Sequence, residues 1–279
     1  MAAGYARPEM LVETGWLAEH LDDPDLRIVD ADAPEAYARA HIPGAAGHPD
    51  ANITLKTARG ETFLMGPESY AAAVDRLGIG DDTAVVAYDG HSGLYAARLW
   101  WTLVYYGHQN VRVLNGGWHK WLLEGRPATT APPGERSGAG RNRFTPRVEP
   151  GVLTDAPRLR AALGRADTAI LDVRTAAEWS GAADRGNARR GHVPGAVHLE
   201  WVNLVTADEQ RVFKPAAELR EMLGALGVTP DKEVHVYCQA GIRAAHATFV
   251  LKLLGYDRVR NYDGSMRDWA NREDTPLVL

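Results

Sequence analysis

The chain has 279 residues, 45% hydrophobic, 8% aromatic and 24% charged, with a formal net charge of −5. This is a globular balance, and it excludes a disordered, collagen-like or disulfide-scaffold chain. The acidic charge leaves no global basic excess to hold nucleic acid or an anionic membrane, although a local basic pocket for a small anion is compatible with it. No run reaches the roughly 18 apolar residues of a membrane span. Residues 1–13 lack a basic region followed by an apolar one, so no signal peptide is expected and the chain reads as cytoplasmic.

At about 100–200 residues per domain, the length suits one large domain or two of middle size. Internal similarity favours two. The run Leu26-Arg-Ile-Val-Asp-Ala-Asp32 returns as Ala169-Ile-Leu-Asp-Val-Arg174, and His41-Ile-Pro-Gly-Ala45 returns as His192-Val-Pro-Gly-Ala196. Residues 84–89 align with 233–238, Val113-Leu-Asn-Gly-Gly117 with Asn261-Tyr-Asp-Gly-Ser265, and Trp121 with Trp269. The offset stays near 149, except for nine extra residues in the second copy, within 180–191, a loop that carries Arg185, Arg189 and Arg190. Two copies of one domain are therefore expected, at 1–126 and 152–279. Residues 127–151, rich in Pro, Gly and Ser, read as the linker.

In chain order, strands are expected at 27–30, 84–88, 111–114, 169–172 and 234–237. Helices are expected at 67–77, 94–106, 215–226 and 244–254. This alternation predicts an α/β fold in which each copy is a mostly parallel sheet with helices on both faces. Active sites in such sheets lie at the C-terminal ends of strands. The single cysteine, Cys238, directly follows the strand at 234–237.

With one cysteine there is no internal disulfide and no multi-cysteine metal site, and covalent chemistry at Cys238 must finish on another molecule. The ten histidines show no metal-ligand spacing. A lone cysteine is most often a small buried hydrophobe. Here it opens the loop Cys238-Gln-Ala-Gly-Ile-Arg-Ala244 between a strand and a helix. A short loop lets successive N–H groups curl into an anion nest. The following helix adds the partial positive charge of its N-terminus, and Arg243 adds a permanent cation. All three favour a thiolate. Gly241 permits backbone geometry that other residues resist. Four residues separate Cys238 from Arg243. A cysteine phosphatase has five, so this cradle is tighter and suits a single sulfur atom on the cysteine.

These features together resemble the tandem-domain rhodanese family, the thiosulfate sulfurtransferases and 3-mercaptopyruvate sulfurtransferases, over nearly the whole chain. The resemblance rests on the paired His-Ile/Val-Pro-Gly-Ala segments, Tyr88-Asp89-Gly90, Leu114-Asn-Gly-Gly-Trp118, the loop 238–243 and Tyr262-Asp-Gly-Ser265. It implies two tandem rhodanese-like domains, the first with a decayed catalytic position, and Asp89 stands where Cys238 stands. It implies a double displacement through a Cys238 persulfide, with no metal and no organic cofactor. The partners implied are a small anionic sulfur donor and a cyanide or thiol acceptor, with thioredoxin as one such thiol. Gln239, Ala240, Gly241 and Ile242 are expected to line the persulfide, and Arg243 to meet the donor. Arg174, in Asp172-Val-Arg174, is expected either to meet the donor or to form a structural salt bridge.

The chain departs from both subtypes. Mercaptopyruvate enzymes usually carry Cys-Gly-Ser/Thr-Gly-Val-Thr-Ala, and an arginine where this chain has Glu178. Vertebrate-type thiosulfate enzymes carry Cys-Arg-Lys-Gly-Val-Thr-Ala. A thiosulfate-like donor is the expectation, with 3-mercaptopyruvate, or persulfide delivery to a protein partner, as alternatives. The loop arginines 185, 189 and 190 form either a solvated surface or a positive field over the site. His41 and His192 are read as parts of rigid Pro-Gly turns. Trp100, Trp101, Tyr105 and Tyr106 are read as packing residues. Trp201 is read as a core residue or as part of the pocket wall.

Overall fold

Both halves build one sheet plan twice. The computed structural model describes residues 4–47, 54–56, 62–133 and 143–279. In the first half come β1 (Leu11–Val12), α1 (Thr14–Glu19), β2 (Leu26–Asp30), α2 (Pro34–Arg39) and β3 (Ala46–Gly47), then the pair β4 (Thr54–Lys56) and β5 (Thr62–Leu64). They are followed by α3 (Pro67–Arg76), β6 (Ala84–Tyr88), α4 (Leu94–Tyr105), β7 (Val111–Leu114) and α5 (Gly117–Leu123). The second half has β8 (Leu153–Thr154), α6 (Ala156–Ala162), β9 (Thr168–Asp172), α7 (Ala176–Trp179) and β10 (Val197–His198). It continues with α8 (Ala216–Ala225), β11 (Glu233–Tyr237), α9 (Ile242–Leu253), β12 (Val259–Tyr262) and α10 (Ser265–Trp269).

The first sheet is ordered β1-β7-β6-β2-β3 and the second β8-β12-β11-β9-β10, strand for equivalent strand. Every neighbouring pair within these two sheets is parallel. Among the described strands, β4 and β5 are the one pair that runs antiparallel, as a separate two-stranded ribbon. The short strands β1, β3, β8 and β10 have two residues each, too few to show any periodicity in sequence.

The alternation of a strand sorts its side chains to two faces. On β6, Val85 and Ala87 join a large core, while Val86 and Tyr88 join a smaller one with Leu17 and Trp121. On β11, Val234 and Val236 join the same large core, and Tyr237 faces a third cluster with Trp269. Each sheet is thus covered on both faces. The large core is shared by both halves. It contains Trp100 and Leu103 of α4 and Phe249 and Leu253 of α9, and the Trp100 and Phe249 rings meet edge to face at 5.1 Å. Trp100, Trp101, Tyr105 and Tyr106 are packing residues, as expected.

The described parts of 127–151 are tied down. Thr129 bridges His41, and Phe144 is buried against Tyr70, with its amide donating to Asp75. The amides of Arg147 and Glu149 donate to the carbonyls of Tyr106 and Tyr105. Residues 134–142 of the expected linker lie outside the described residues.

The two His-x-Pro-Gly segments are turns held in the same way. Gly44 and Gly195 have φ of 77° and 73°, which a type II turn after proline requires. The amides of Ile42 and Val193 donate to the hydroxyls of Tyr88 and Tyr237. His41 stacks on Tyr37 and His192 on Trp179, so both histidines serve the turns.

Candidate active site

Cys238 lies at the C-terminal end of β11, the middle strand of its sheet, and α9 starts four residues later. It is 1% exposed. The loop is fastened from below by α10. Oγ of Ser265 accepts from the amides of Cys238 (3.0 Å) and Gly241 (3.1 Å) and donates to the carbonyl of Tyr262 (2.6 Å). The amides of Met266 and Arg267 donate to the carbonyls of Cys238 and Gln239. Ser265 adopts φ of 50°, a left-handed conformation that costs a serine about 1–3 kcal/mol and persists only when its surroundings impose it. Its counterpart in the first half is Gly117, φ 48°.

With Cys238 and Gly241 fastened, the amides of Gln239, Ala240, Ile242, Arg243 and Ala244 take no acceptor among the described residues. The last three belong to the first turn of α9, whose N–H groups have no partner within the helix. Gly241 caps this helix at φ 72°, and a Cβ there would stand 2.6 Å from Oδ1 of Asp263. The position admits only glycine.

Arg243 forks onto Glu178, with Nη1 to Oε2 at 2.7 Å and Nη2 to Oε1 at 2.9 Å. Burial opposes both charges. The Arg243 bond nonetheless holds the Glu178 carboxyl down at about 2, and Glu178 together with Cys238 keeps Arg243 raised. Glu178 also closes a capping box with Thr175 at the start of α7. The main cation of the loop is thus already answered by a carboxylate.

Arg174 takes the structural one of its two expected roles. It is 2% exposed and binds Asp172 through Nε (3.0 and 2.9 Å) and Nη2 (2.6 Å), with Nη2 also donating to the Gly191 carbonyl. In this structure the guanidinium is enclosed in an ion pair with Asp172. Arg189 is also consumed: it donates to the carbonyls of Trp269, Ala270, Arg272 and Thr275 and fixes the extra loop to the C-terminal segment. Arg190 pairs with Asp184 at the surface. Arg185 is exposed, with Nε 3.9 Å from Oε1 of Glu178, and extends the charge cluster outward.

The extra loop reaches the cysteine loop through Asn187, whose amide exchanges hydrogen bonds with that of Gln239 (3.1 and 3.0 Å). Trp201 stands edge to face with His246 at 5.1 Å, in packing. Sequence reasoning gave no role to Ser265 or Asn187. A signal for Ser265 existed: it is the one side chain that the second copy adds where the first has Gly117.

In the first half the same place is acidic. Asp89 stands at the end of β6, and its carboxylate accepts from the amides of His91, Gly93, Tyr95 and Ala96 at 2.7–2.9 Å. Asp32 replaces Arg174 and pairs with His91 at 2.7 Å. Burial raises the carboxyl of Asp30, which accepts from the Asp32 amide, to about 6.

The sequence model described as "Rhodanese-like domain" matches twice, at residues 13–124 and 155–272. The chain belongs to the rhodanese family. Its sulfurtransferase relatives match nearly end to end. The sulfur carrier protein TtuD of Thermus thermophilus is 38% identical over 99% of this chain and 98% of its own length. A thiosulfate sulfurtransferase of Corynebacterium glutamicum is 35% identical over 98% and 91%, and the 3-mercaptopyruvate sulfurtransferase of Escherichia coli 32% over 95% and 96%. Among solved structures, the anaerobic ergothioneine biosynthesis enzyme of Chlorobium limicola superposes with a TM-score of 0.83 at 24% identity, covering 98% of this rhodanese and 70% of that chain. YnjE superposes at 0.85 with 23% identity, covering 98% and 69%. These two likenesses show the shared fold. Among the described residues of this rhodanese, no helix is long and apolar enough to cross a membrane, and no group of three or more His, Cys, Asp or Glu is placed to hold a metal ion.

Proposed function

We propose that this rhodanese moves sulfane sulfur from thiosulfate to a thiophilic acceptor through a persulfide on Cys238. The Cys238 thiolate attacks the outer sulfur of the donor. A new S–S bond forms, the donor's S–S bond breaks, and sulfite leaves with the electron pair. A nucleophilic acceptor, cyanide or a thiol, then attacks the outer sulfur, and Cys238 leaves as thiolate.

The observation that carries this reading is the set of unpartnered amides around Cys238, together with what the first half does with the same device. Aligned on the capping glycines Gly93 and Gly241, the amides of Tyr95 and Ala96 correspond to those of Arg243 and Ala244. In the first half they hold a carboxylate oxygen of Asp89. That oxygen is two bonds from Cβ, as the outer sulfur of a cysteine persulfide would be. The aspartate marks where a terminal anion sits in such a loop, and charge-assisted bonds from fixed amides are the strong kind.

Thiosulfate is preferred to 3-mercaptopyruvate because Glu178, buried beside Arg243, is a poor neighbour for a pyruvate carboxylate, and because several relatives bear the thiosulfate name. A second reading, delivery of the persulfide sulfur to a protein, draws support from the name of the TtuD relative. The test is intact-mass spectrometry without reductant, before and after thiosulfate and again after cyanide. The expected result is a gain of one sulfur atom that cyanide removes. No gain with thiosulfate or 3-mercaptopyruvate would overturn the proposal. Transfer to a protein acceptor that far outpaces transfer to cyanide would favour the second reading.

A further inference from the structure

The catalytic loop is held by a residue of the other domain. Arg98, on α4 of the first half, is wholly buried. Its Nη1 lies 2.6 Å from Oδ1 of Asp263, close enough for an ion pair though off the line of an N–H bond, and 3.4 Å from the carbonyl of Gly241. Its Nε and Nη2 have no hydrogen-bond partner among the described residues, and its guanidinium stacks over Trp101 at 4.8 Å. A buried cation with two open donors is a poor stabilising device, because the desolvation penalty tends to exceed the gain.

What Arg98 touches explains its place. Gly241 is the hinge between the cysteine loop and α9, and its carbonyl accepts from Asn261 Nδ2 (3.0 Å) as well as from Arg98. Its amide shares Ser265 Oγ with the amide of Cys238. Asp263 lies two residues before Ser265, and its Oδ2 accepts the amide of Leu64 from the first half. Arg98 therefore grips the loop at the glycine that aims the amides and at the segment that carries Ser265.

We propose that Arg98 is a positioning residue for sulfur transfer: the first domain, which has no nucleophile of its own, sets the amide cradle of Cys238 through Arg98, Asp263 and Gly241. This rests on the persulfide reading above. Arg98→Met, which keeps volume without charge, is compared with Arg98→Lys and with the unmodified protein. Four quantities are read: the melting temperature, the kcat and KM for thiosulfate, the lifetime of the loaded persulfide by mass, and hydrogen exchange of the amides of 239–244 in unloaded protein.

In Arg98→Met, kcat and persulfide lifetime are expected to fall about tenfold or more, with KM changed by less than about threefold. Loop exchange is expected to quicken. Arg98→Lys, which can still pair with Asp263, is expected to recover about half of the loss on a logarithmic scale. A folded Arg98→Met with kcat, lifetime and loop exchange all within about twofold of the unmodified protein overturns the proposal. If Arg98→Met does not fold, Arg98→Lys and Asp263→Asn decide it: unchanged kcat and lifetime in both overturn it. Loop exchange needs no sulfur donor, so a failure of the persulfide chemistry itself is distinguishable from a failure of Arg98 to position the loop.

Discussion

Arg98 and His246 occupy equivalent turns of α4 and α9, and each reaches across the domain interface to the loop that opens the other's helix. Arg98 donates to the carbonyl of Gly241, and His246 Nε2 lies 3.1 Å from the carbonyl of Ser92. A carbonyl only accepts, so the His246 proton is on Nε2. Burial holds this imidazole down at about 4, and it is neutral at physiological pH. The exchange repeats one layer out. Asp263 accepts the amide of Leu64, and its counterpart Asn115 accepts the amide of Phe213. Duplication thus yields reciprocal supports, although only the second half carries a thiol.

Removal of the sulfur of Cys238 should abolish sulfur loading. Cys238→Ser keeps nearly the same volume and leaves Ser265 its two amides, so the fold should survive. Donor-dependent activity should fall to background, and intact mass should show no sulfur gain. Full activity in this variant would sink the mechanism.

Glu178→Gln should leave the charge of Arg243 unneutralised and available to the donor while keeping one acceptor oxygen for Thr175 and Arg243. The KM for thiosulfate is expected to fall several-fold, most at low ionic strength, where charges are least screened. The same variant has a stability signature. The folded carboxyl of Glu178 is held down at about 2 against an unfolded value of 4.5. Its contribution is therefore complete above about pH 4.5 and is lost as pH falls toward 2. Chemical denaturation should find Glu178→Gln less stable at pH 7 by about 2–3 kcal/mol, and the gap should close with acidification.

Asp30 should behave in the opposite sense. Burial raises its carboxyl from 3.8 to about 6 in the folded chain. The folded state then binds more protons between these values, so stability falls as pH rises through about 6. Asp30→Asn should remove that loss and raise stability at pH 7.5 by about 1–3 kcal/mol, with no gain below pH 4. A denaturation midpoint measured against pH in both proteins tests the sign.

Asp89→Ala should destabilise the first domain by about 3 kcal/mol or more, because four buried or half-buried amides lose one charged acceptor. Since Asp89 touches no reacting atom, sulfur loading at a temperature where the variant is folded should match that of the unmodified protein. Calorimetry and the mass assay together check both halves of the prediction.

Much of the molecule was legible in the sequence. The duplication, the strands of 27–30 and 169–172, the helices α4 and α9 and the place of Cys238 at a strand end all follow from local patterns. The helix ends moved by one or two residues: α9 begins at Ile242 rather than 244, because Gly241 in the left-handed conformation starts the turn early. The ribbon of β4 and β5 and the two-residue edge strands carry too few residues for any period.

The roles of the arginines were not legible. Arg174, Arg189, Arg243 and Arg98 are chemically the same group, and the linear chain says only that each bears a charge. Asp172 is only two residues from Arg174, but for the others the carboxylate or carbonyl within 3 Å is set by elements distant in sequence: the C-terminal segment for Arg189, Glu178 for Arg243 and Asp263 for Arg98. By itself the sequence determined that there are two copies of one α/β domain and a single cysteine, because repeats, hydrophobic period and residue type are local properties. Only the tertiary structure decided which cations are bound up and which domain holds the loop, because charge pairing and desolvation depend on distances that no spacing along the chain encodes.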